Sequence, residues 1–390
     1  MRDTLTTVGE SGSGDQRTQT RPSNFWKGHD MTSDQYLDLE PARPAEYAAF
    51  IGKTLPAPEQ IDAETYLLPI PMLGGDDFVT NTLCYVLRGP DGAAHLIDAG
   101  MNTDEGWAVL RSALDAWKLG PVASVVVTHM HIDHIGMAER VRQEWGARVI
   151  MGEIEWRTYL SSPTADERTA RYDKWGVPVD KRPVIPPELE PGHTSPTVGP
   201  QRLIDPPDQF VHDQDVLDLG RPVTVMVTPG HTEGGLSLRD DAHRLMFTGD
   251  QILPHMHAGI GLDYDPTGDP IGDYLEACQR MAAYDGYEAL PGHGFGFRRL
   301  GLRLVQTTNH HLRRSRQVAE ALATHPDDSV WTLASRLTWS YGFDNLTGYF
   351  LNSAIQQTAM HQTFVRDTAR SAPWLATADT SSLLLPEGGG

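Results

Sequence analysis

The 390-residue sequence predicts an α/β (α+β) body followed by a small helical domain. Three observations predict it. Strand-like, β-branched runs dominate between Glu64 and Leu290. Helical periodicity alone follows Gly301. Between them, a strand runs directly into a turn, Thr128–Gly136, that displays three histidines and an aspartate before a helix begins.

Residues 1–45 lack hydrophobic periodicity, open on a polar Gly/Ser/Thr-rich stretch, and read as a disordered or loosely attached extension. The body is assigned to residues 46–300. Its strand signals are Thr65–Pro69, Thr80–Leu87 and Ala94–Asp98, the last closing in the turn Asp98-Ala99-Gly100. Thr103–Trp117 reads as an amphipathic helix whose Trp107, Leu110, Leu114 and Trp117 share a core-facing stripe. Ser124–Val127 is a buried strand; Met137–Trp145, Arg148–Gly152 and Ile154–Tyr159 follow as helix, strand and helix. Between 161 and 202, eight prolines make the chain too irregular for a core element and too long for an ordinary connection. The segment reads as an insertion, either a lid or a surface excursion.

Strand signals return at Gln209–Val211, Val216–Leu219, Val223–Val227, Gly235–Leu238, Arg244–Phe247 and Glu288–Leu290. Asp269–Tyr284 is a helix, with Asp269 as its cap and Pro270 in the first turn. Residues 301–370 form the helical domain, from Leu302–Ala323, Ser329–Leu337 and Asn345–Arg370; residues 371–390 read as a flexible tail.

Composition narrows the function. No run of 18 apolar residues exists and the N-terminus has no apolar leader core, so the expectation is a cytoplasmic protein with no membrane contact. Cys84 and Cys278 sit far apart in apolar surroundings, as buried thiols do in a reducing compartment. A formal charge of −20 argues against nucleic acid as a partner, because phosphate contacts need clustered cations. The local basic cluster of Arg298, Arg299, Arg303, Arg313, Arg314 and Arg316 reads as a solvated helix face. The expected partner is a small-molecule substrate, and the sequence leaves a homo-oligomer open.

His129, His131, Asp133 and His134 crowd one loop, which no hydrophobic core requires and a divalent metal does. One cluster cannot fill two coordination spheres, so further donors are expected at strand ends. They are His231 in Pro229-Gly230-His231-Thr232, Asp250 in Thr248-Gly249-Asp250, and His293 in Pro291-Gly292-His293. Each follows a strand through a glycine-containing turn, where the backbone can carry a side chain into a shared cleft.

Through these four motifs the chain resembles the metallo-β-lactamase-fold hydrolase superfamily over roughly residues 64–300. The resemblance implies a four-layer αββα sandwich with a two-metal site at one end. His129, His131 and His231 would bind the first metal, and Asp133, His134 and His293 the second. Asp250 would bridge the pair, and Asp98 would support the metal loop from behind. The resemblance also separates branches: β-lactamases of this fold do not use a bridging aspartate at the Asp250 position, and oxygen-reducing di-iron relatives carry glutamate where His131 stands. The set is similar to those of glyoxalase II, N-acyl-homoserine lactonases, acyl-carrier thioesterases and RNase Z-like enzymes. The stretches His310-His311-Leu-Arg-Arg and Thr332-Leu-Ala-Ser-Arg-Leu resemble a winged-helix-like C-terminal domain of one hydrolase branch.

The function expected on these grounds is a dinuclear metal-dependent hydrolase of a small thioester, lactone or related ester. Two divalent ions can lower the pKa of a shared water to near neutrality, which removes the need for a serine nucleophile. No Gly-x-Ser-x-Gly elbow is present. Asp133 is the expected catalytic residue, orienting the hydroxide and shuttling its proton. Zinc is the first choice for the nitrogen-rich set, and iron and manganese suit similar mixtures. His255, His257 and Tyr264 are candidates for the substrate pocket. The competing readings are a phosphodiesterase or ribonuclease of the RNase Z kind, a mononuclear iron dioxygenase acting on persulfides, and a non-catalytic sensor with the same fold.

Overall fold

Strand alternation decides the architecture of the computed structural model, which describes residues 39–72, 79–161, 164–182, 204–261, 268–339 and 342–384. Two seven-stranded sheets form. The first contains β2 (Glu59–Gln60), β3 (Thr65–Pro71), β4 (Asn81–Arg88), β5 (Ala94–Ile97), β6 (Val122–Val127), β7 (Arg148–Gly152) and β8 (Gln209–Val211), paired in that order. Its β2–β5 are antiparallel and β5–β8 parallel. The second runs β1 (Glu40–Pro41), β14 (Phe297–Arg298), β13 (Glu288–Pro291), β12 (Leu245–Gly249), β11 (Leu236–Asp240), β10 (Pro222–Val227) and β9 (Val216–Asp218). Only its β12–β13 pair is parallel among the described strands.

Both faces of each sheet are covered, as the strands' near-continuous apolar runs require. In β4, Leu83, Tyr85 and Leu87 point between the sheets, where they meet Val223, Val225, Leu238, Phe247 and Leu290. Its alternate residues, Cys84 and Val86, face the opposite way, onto helices α2 (Asp104–Trp117) and α4 (Ala138–Trp145) through Leu110, Leu114 and Val141. The outer face of the second sheet packs Met226, Met246 and Ala289 against α7 (Pro270–Met281) and α8 (Leu300–Thr324). The layers are therefore helix, sheet, sheet, helix, the predicted αββα sandwich.

Three stretches differ from the sequence expectation. Within 1–45, the described residues begin at Leu39: Glu40–Pro41 pairs with Arg298 and Phe297, and α1 (Pro44–Ile51) follows, with Tyr47 and Phe50 against Phe295. Sequence periodicity misses a two-residue strand and a single short helix. Within 161–202, α6 (Ala165–Lys174) is a regular helix, opened by a capping box between Thr164 and Glu167. That Thr-x-x-Glu signal was legible, and the prolines around it masked it. Its Tyr172 and Val177 are buried with Val330, Phe343, Leu351 and Ile355, and Tyr172 Oη donates to Asn352 at 2.7 Å. Residues 183–203 lie outside the described residues. The segment 371–390, read as a tail, is helical in α11 (Thr368–Leu375) and α12 (Ser381–Leu384), where Trp374 and Leu384 are buried beside α7 and α8. Few apolar residues hold each, too few for a periodic signal.

After Arg298 the described chain is helical throughout. The continuous helix expected to Arg370 breaks at Asp367, which ends α10 (Gly348–Arg366) and caps α11 by accepting from Arg370 N. No helix among the described residues is long and apolar enough to cross a membrane. Both cysteines are buried and free.

One buried ion pair ties the sheets together. Arg221, just before β10, donates Nε to Asp240 on β11 and reaches across to the first sheet, with Nη2 on Thr65 Oγ1 at 2.6 Å and Nη1 on Glu64 O at 3.3 Å. Asp240→Ala should leave a buried guanidinium without its carboxylate and cost about 3–5 kcal/mol, read as a lowered denaturant midpoint at unchanged slope.

Candidate metal centre

Every predicted ligand leaves the sandwich at the same end. The turn after β6 carries His129 and His131 and runs into the short helix α3 (Ile132–Ile135), which carries Asp133 and His134, while turns after β10, β12 and β13 carry His231, Asp250 and His293. Backbone bonds between the sheets bring the two groups together: Leu236 N donates to Thr128 O at 2.8 Å, and Leu83 N to Gly292 O at 2.7 Å. Two glycines make the approach possible. A Cβ on Gly136 would lie 2.8 Å from both Asn102 N and Gly100 O, and one on Gly292 would lie 2.4 Å from Asp250 Oδ1 and 2.6 Å from His134 Cε1.

The structure gathers the seven side chains into three groups of converging donor atoms: His129, His131 and His231; His129, His134 and Asp250; Asp133, His134 and His293. His129 Nε2 and His231 Nε2 lie 3.0 Å and 3.1 Å from His131 Nδ1. On the other side, His293 Nε2 is 3.1 Å from Asp133 Oδ2 and 3.3 Å from Asp250 Oδ2, and His134 Nε2 is 3.4 Å from Asp250 Oδ1. Asp250 stands between the two sets.

The hydrogen bonds behind the rings assign the tautomers. Asp98, in a left-handed backbone conformation and 2% exposed, accepts Thr128 N at 2.7 Å, Thr128 Oγ1 at 2.8 Å and His134 Nδ1 at 2.8 Å. Because the Thr128 hydroxyl proton goes to Asp98, its oxygen receives His129 Nδ1–H at 3.0 Å. His231 Nδ1–H donates to Gly259 O at 2.6 Å and His293 Nδ1–H to Asn81 O at 2.9 Å. Four rings thus turn Nε2 inward. His131 turns Nδ1 inward instead.

Electrostatics divide the site. Burial, with the neighbouring imidazoles, depresses His129 well below the usual histidine range and pushes His131 down to about 3; burial lowers His231 as well. These three rings are neutral, with the Nε2 atoms of His129 and His231 within hydrogen-bond distance of His131 Nδ1, an arrangement that suits a cation. Burial opposes charge on His134 and His293 too, but the carboxylates prevail: Asp133, Asp250 and Asp98 raise His134 well above its usual value, and Asp250 and Asp133 push His293 up to about 10. Burial likewise opposes ionisation of Asp133 and Asp250, and the facing histidines hold both below the carboxylate range. Asp250 Oδ1 is buried with no well-formed hydrogen bond. Imidazole nitrogens, two carboxylates and an unsatisfied buried oxygen fit divalent metal.

The pocket candidates separate. His255 is 4% exposed and packs on Phe50 with ring centroids 4.9 Å apart. His257 is half-buried, 3.1 Å from Thr307 Oγ1 and stacked on His310 at 3.9 Å. Tyr264 lies outside the described residues. The basic cluster is no continuous solvated face: Arg303 is buried against Leu253 O and Met256 O, Arg314 lies over the Trp339 ring, and Arg316 bonds Thr377 O.

Sequence reading missed Glu155 and Thr128. Glu155, fully buried on α5 (Glu153–Leu160), accepts Met130 N at 2.8 Å and Gly234 N at 2.9 Å, clamping the His129 loop to the His231 loop. A carboxylate beside Ile154 and Trp156 on a short helix was the available signal.

Residues 77–293, more than half of the chain, match the family model described as metallo-beta-lactamase superfamily. The chain belongs to the metallo-β-lactamase superfamily. Among similar proteins, acyl-coenzyme A thioesterase MBLAC2 of Gallus gallus is 27% identical over 223 residues, 56% of this chain and 72% of the relative. An atrochrysone carboxyl ACP thioesterase of Aspergillus fumigatus is 24% identical over 293 residues, covering 74% and 75%. A β-lactamase domain protein from Burkholderia ambifaria has the same fold, with TM-score 0.68 at 22% identity over 89% of this chain and 95% of that one. Superfamily members typically bind divalent metals, and this chain has the donor groups for them.

Two outcomes follow from the tautomer network. Asp98→Ala removes the acceptor behind Thr128 and His134, so zinc affinity should fall roughly 10–100-fold in a chelator competition titration, with the fold retained. A ligand imidazole must be neutral, and His293 keeps its proton up to about pH 10 in the metal-free protein. Its protonated form therefore stabilises the metal-free fold at neutral pH and ceases to do so above that value. Metal uptake should release protons near pH 7, and metal affinity should rise with pH. Calorimetric titrations in buffers of different ionisation enthalpy would read this; buffer-independent heats would contradict it.

Proposed function

We propose that this superfamily member is a dinuclear metal-dependent hydrolase that cleaves a small thioester or related ester, lactones included. The observation that carries the reading is the convergence of seven donors in three groups, linked through His129 and His134, with Asp250 in the middle one. His129, His131 and His231 would hold one divalent ion, Asp133, His134 and His293 the other, and Asp250 both. Zinc is the first choice, because five of the seven donors are imidazoles. Two such ions supply Lewis acidity when bound, acidifying water at neutral pH and polarising an acyl carbonyl.

The chain's own residues do the rest. Asp250 and Asp133 are ionised, Asp250 buried and Asp133 partly accessible. Asp133 has Thr82 Oγ1 3.4 Å from its Oδ2, and it is suited to take the attacking water's proton. It would then pass that proton to the departing thiolate or alkoxide, which puts the leaving group on the Asp133–His134–His293 side. Asp98, Thr128 and Glu155 hold the loops rigid, so the donors need not reorganise during turnover. The thioester class is favoured by two relatives, an acyl-coenzyme A thioesterase and an atrochrysone carboxyl ACP thioesterase, at 27% and 24% identity.

Metal analysis joined to a panel of thioesters, lactones and β-lactams tests the proposal: two metals per chain and thioester turnover are expected. One iron per chain with oxygen consumption would replace it by the dioxygenase reading. Asp250→Ala should lower kcat/KM by more than about 100-fold, beyond the cost typical of residues behind the ligands, in a protein that still folds. Turnover near wild type would exclude the dinuclear mechanism.

A further inference from the structure

We propose that the hollow beside His293 binds a negatively charged group carried by the substrate's leaving thiol or alcohol, with Lys53 as the cation that recognises it. The inference rests on the hydrolase reading above and adds a substrate requirement to it.

The hollow lies between the end of α1 and the chain leading into β4. Phe50, Lys53 and Thr54 form one wall, and Val79, Thr80 and Asn81 the other. It is joined to the ligand set at two points. Gly294, at its base, directly follows His293, and Asn81 supplies the carbonyl that accepts His293 Nδ1–H at 2.9 Å. A group seated there is next to His293, one of the residues proposed to hold the ion on the side from which the leaving group would depart.

Its chemistry is selective. Among the described residues that line it, Lys53 is the one charged side chain, in a chain of net charge −20. Thr80 Oγ1 donates to Asn81 Oδ1 at 3.0 Å, which fixes the amide and leaves its NH2 as a donor. Phe50 is held by its contacts with His255 and Phe295, at 4.9 and 5.2 Å between ring centroids, and offers an apolar edge for the arm that carries the charge. A cation, an amide donor, two threonines and the apolar edge of Phe50 suit an anion, carboxylate or phosphate, on a partly apolar stem.

The backbone adds an independent observation. Lys53 sits at φ 54°, in the left-handed region, where Lys53 N to Phe50 O and Thr54 N to Ala49 O, each 3.0 Å, close the helix. Glycine is the residue that position prefers. Lysine there accepts backbone strain and in return holds an ammonium at the rim.

The test uses the zinc-loaded full chain and three acetyl thioesters that differ only in the thiol: neutral N-acetylcysteamine, glutathione with its carboxylates, and coenzyme A with its phosphates. The wild type should favour an anionic thiol over the neutral one by about tenfold in kcat/KM, the scale of one charge-assisted hydrogen bond, mainly through KM and less at high salt. Which of the two gains distinguishes carboxylate from phosphate. Lys53→Arg should keep the preference, Lys53→Gly should lose it with an undiminished melting temperature, and Lys53→Glu should invert it. Turnover of the neutral thioester should stay constant throughout. Equal use of all three thiols by the wild type, or an equal loss for all three in Lys53→Gly, would overturn the inference and leave the hydrolase intact. No turnover of any of the three would remove both.

Discussion

Which nitrogen of each imidazole carries its proton is the constraint on which the site depends. A histidine can donate a lone pair inward only if its other nitrogen is satisfied outward, and here the outward partners are Asp98, Thr128, Gly259 O and Asn81 O. Asp98 is the centre of this arrangement. One carboxylate, in a strained backbone conformation at the end of β5, accepts from the loop's main chain, from Thr128 and from His134. It thereby orients the two histidines at opposite ends of the His129-x-His131-x-Asp133-His134 run. A second buried carboxylate, Glu155, does for the loops what Asp98 does for the rings.

The candidate site also depends on two sheets in contact. Neither sheet carries all seven candidate donors. The first contributes four and the second three, and they meet because Leu83, Tyr85, Phe247 and Leu290 pack the interior between the sheets while main-chain bonds cross at its end. Tyr85 Oη donates to Pro291 O at 2.8 Å, so a core residue of the first sheet positions the His293 turn of the second. Packing and chemistry are coupled through single side chains, and the two glycines at 136 and 292 mark where the coupling leaves no room for a Cβ.

The periphery is built differently. Helix α6 belongs in sequence to the first half of the sandwich yet packs on the C-terminal helices, through Tyr172 to Asn352 and Trp175 O to Trp331 N. Helix α1, before the first long strand, packs beside Phe295 and supplies one wall of the hollow next to His293. Segments from both ends of the chain and from its middle therefore surround a centre whose ligands come from the strand ends. A common metal chemistry can be combined in this way with walls of varied composition.

The sequence by itself determined the strand-then-helix order, the apolar stripes of β4, β6 and α2, and the positions of the seven donors, because each of these is written in local periodicity or in a short motif. It also located Asp98 through the turn that ends its strand. Only the tertiary structure decided which donors share a group, which nitrogen each ring presents, and that Glu155 and Thr128 hold them. Most of those depend on contacts between residues from 25 to 212 positions apart, for which one sequence has no period to read. The same holds for α1, α6 and α12: each is short, is held by a few buried side chains against distant helices, and carries too little pattern of its own. His255, read as a pocket residue from its nearness to Asp250, is buried against Phe50 of α1, a contact between residues too distant in sequence for any local pattern to reveal.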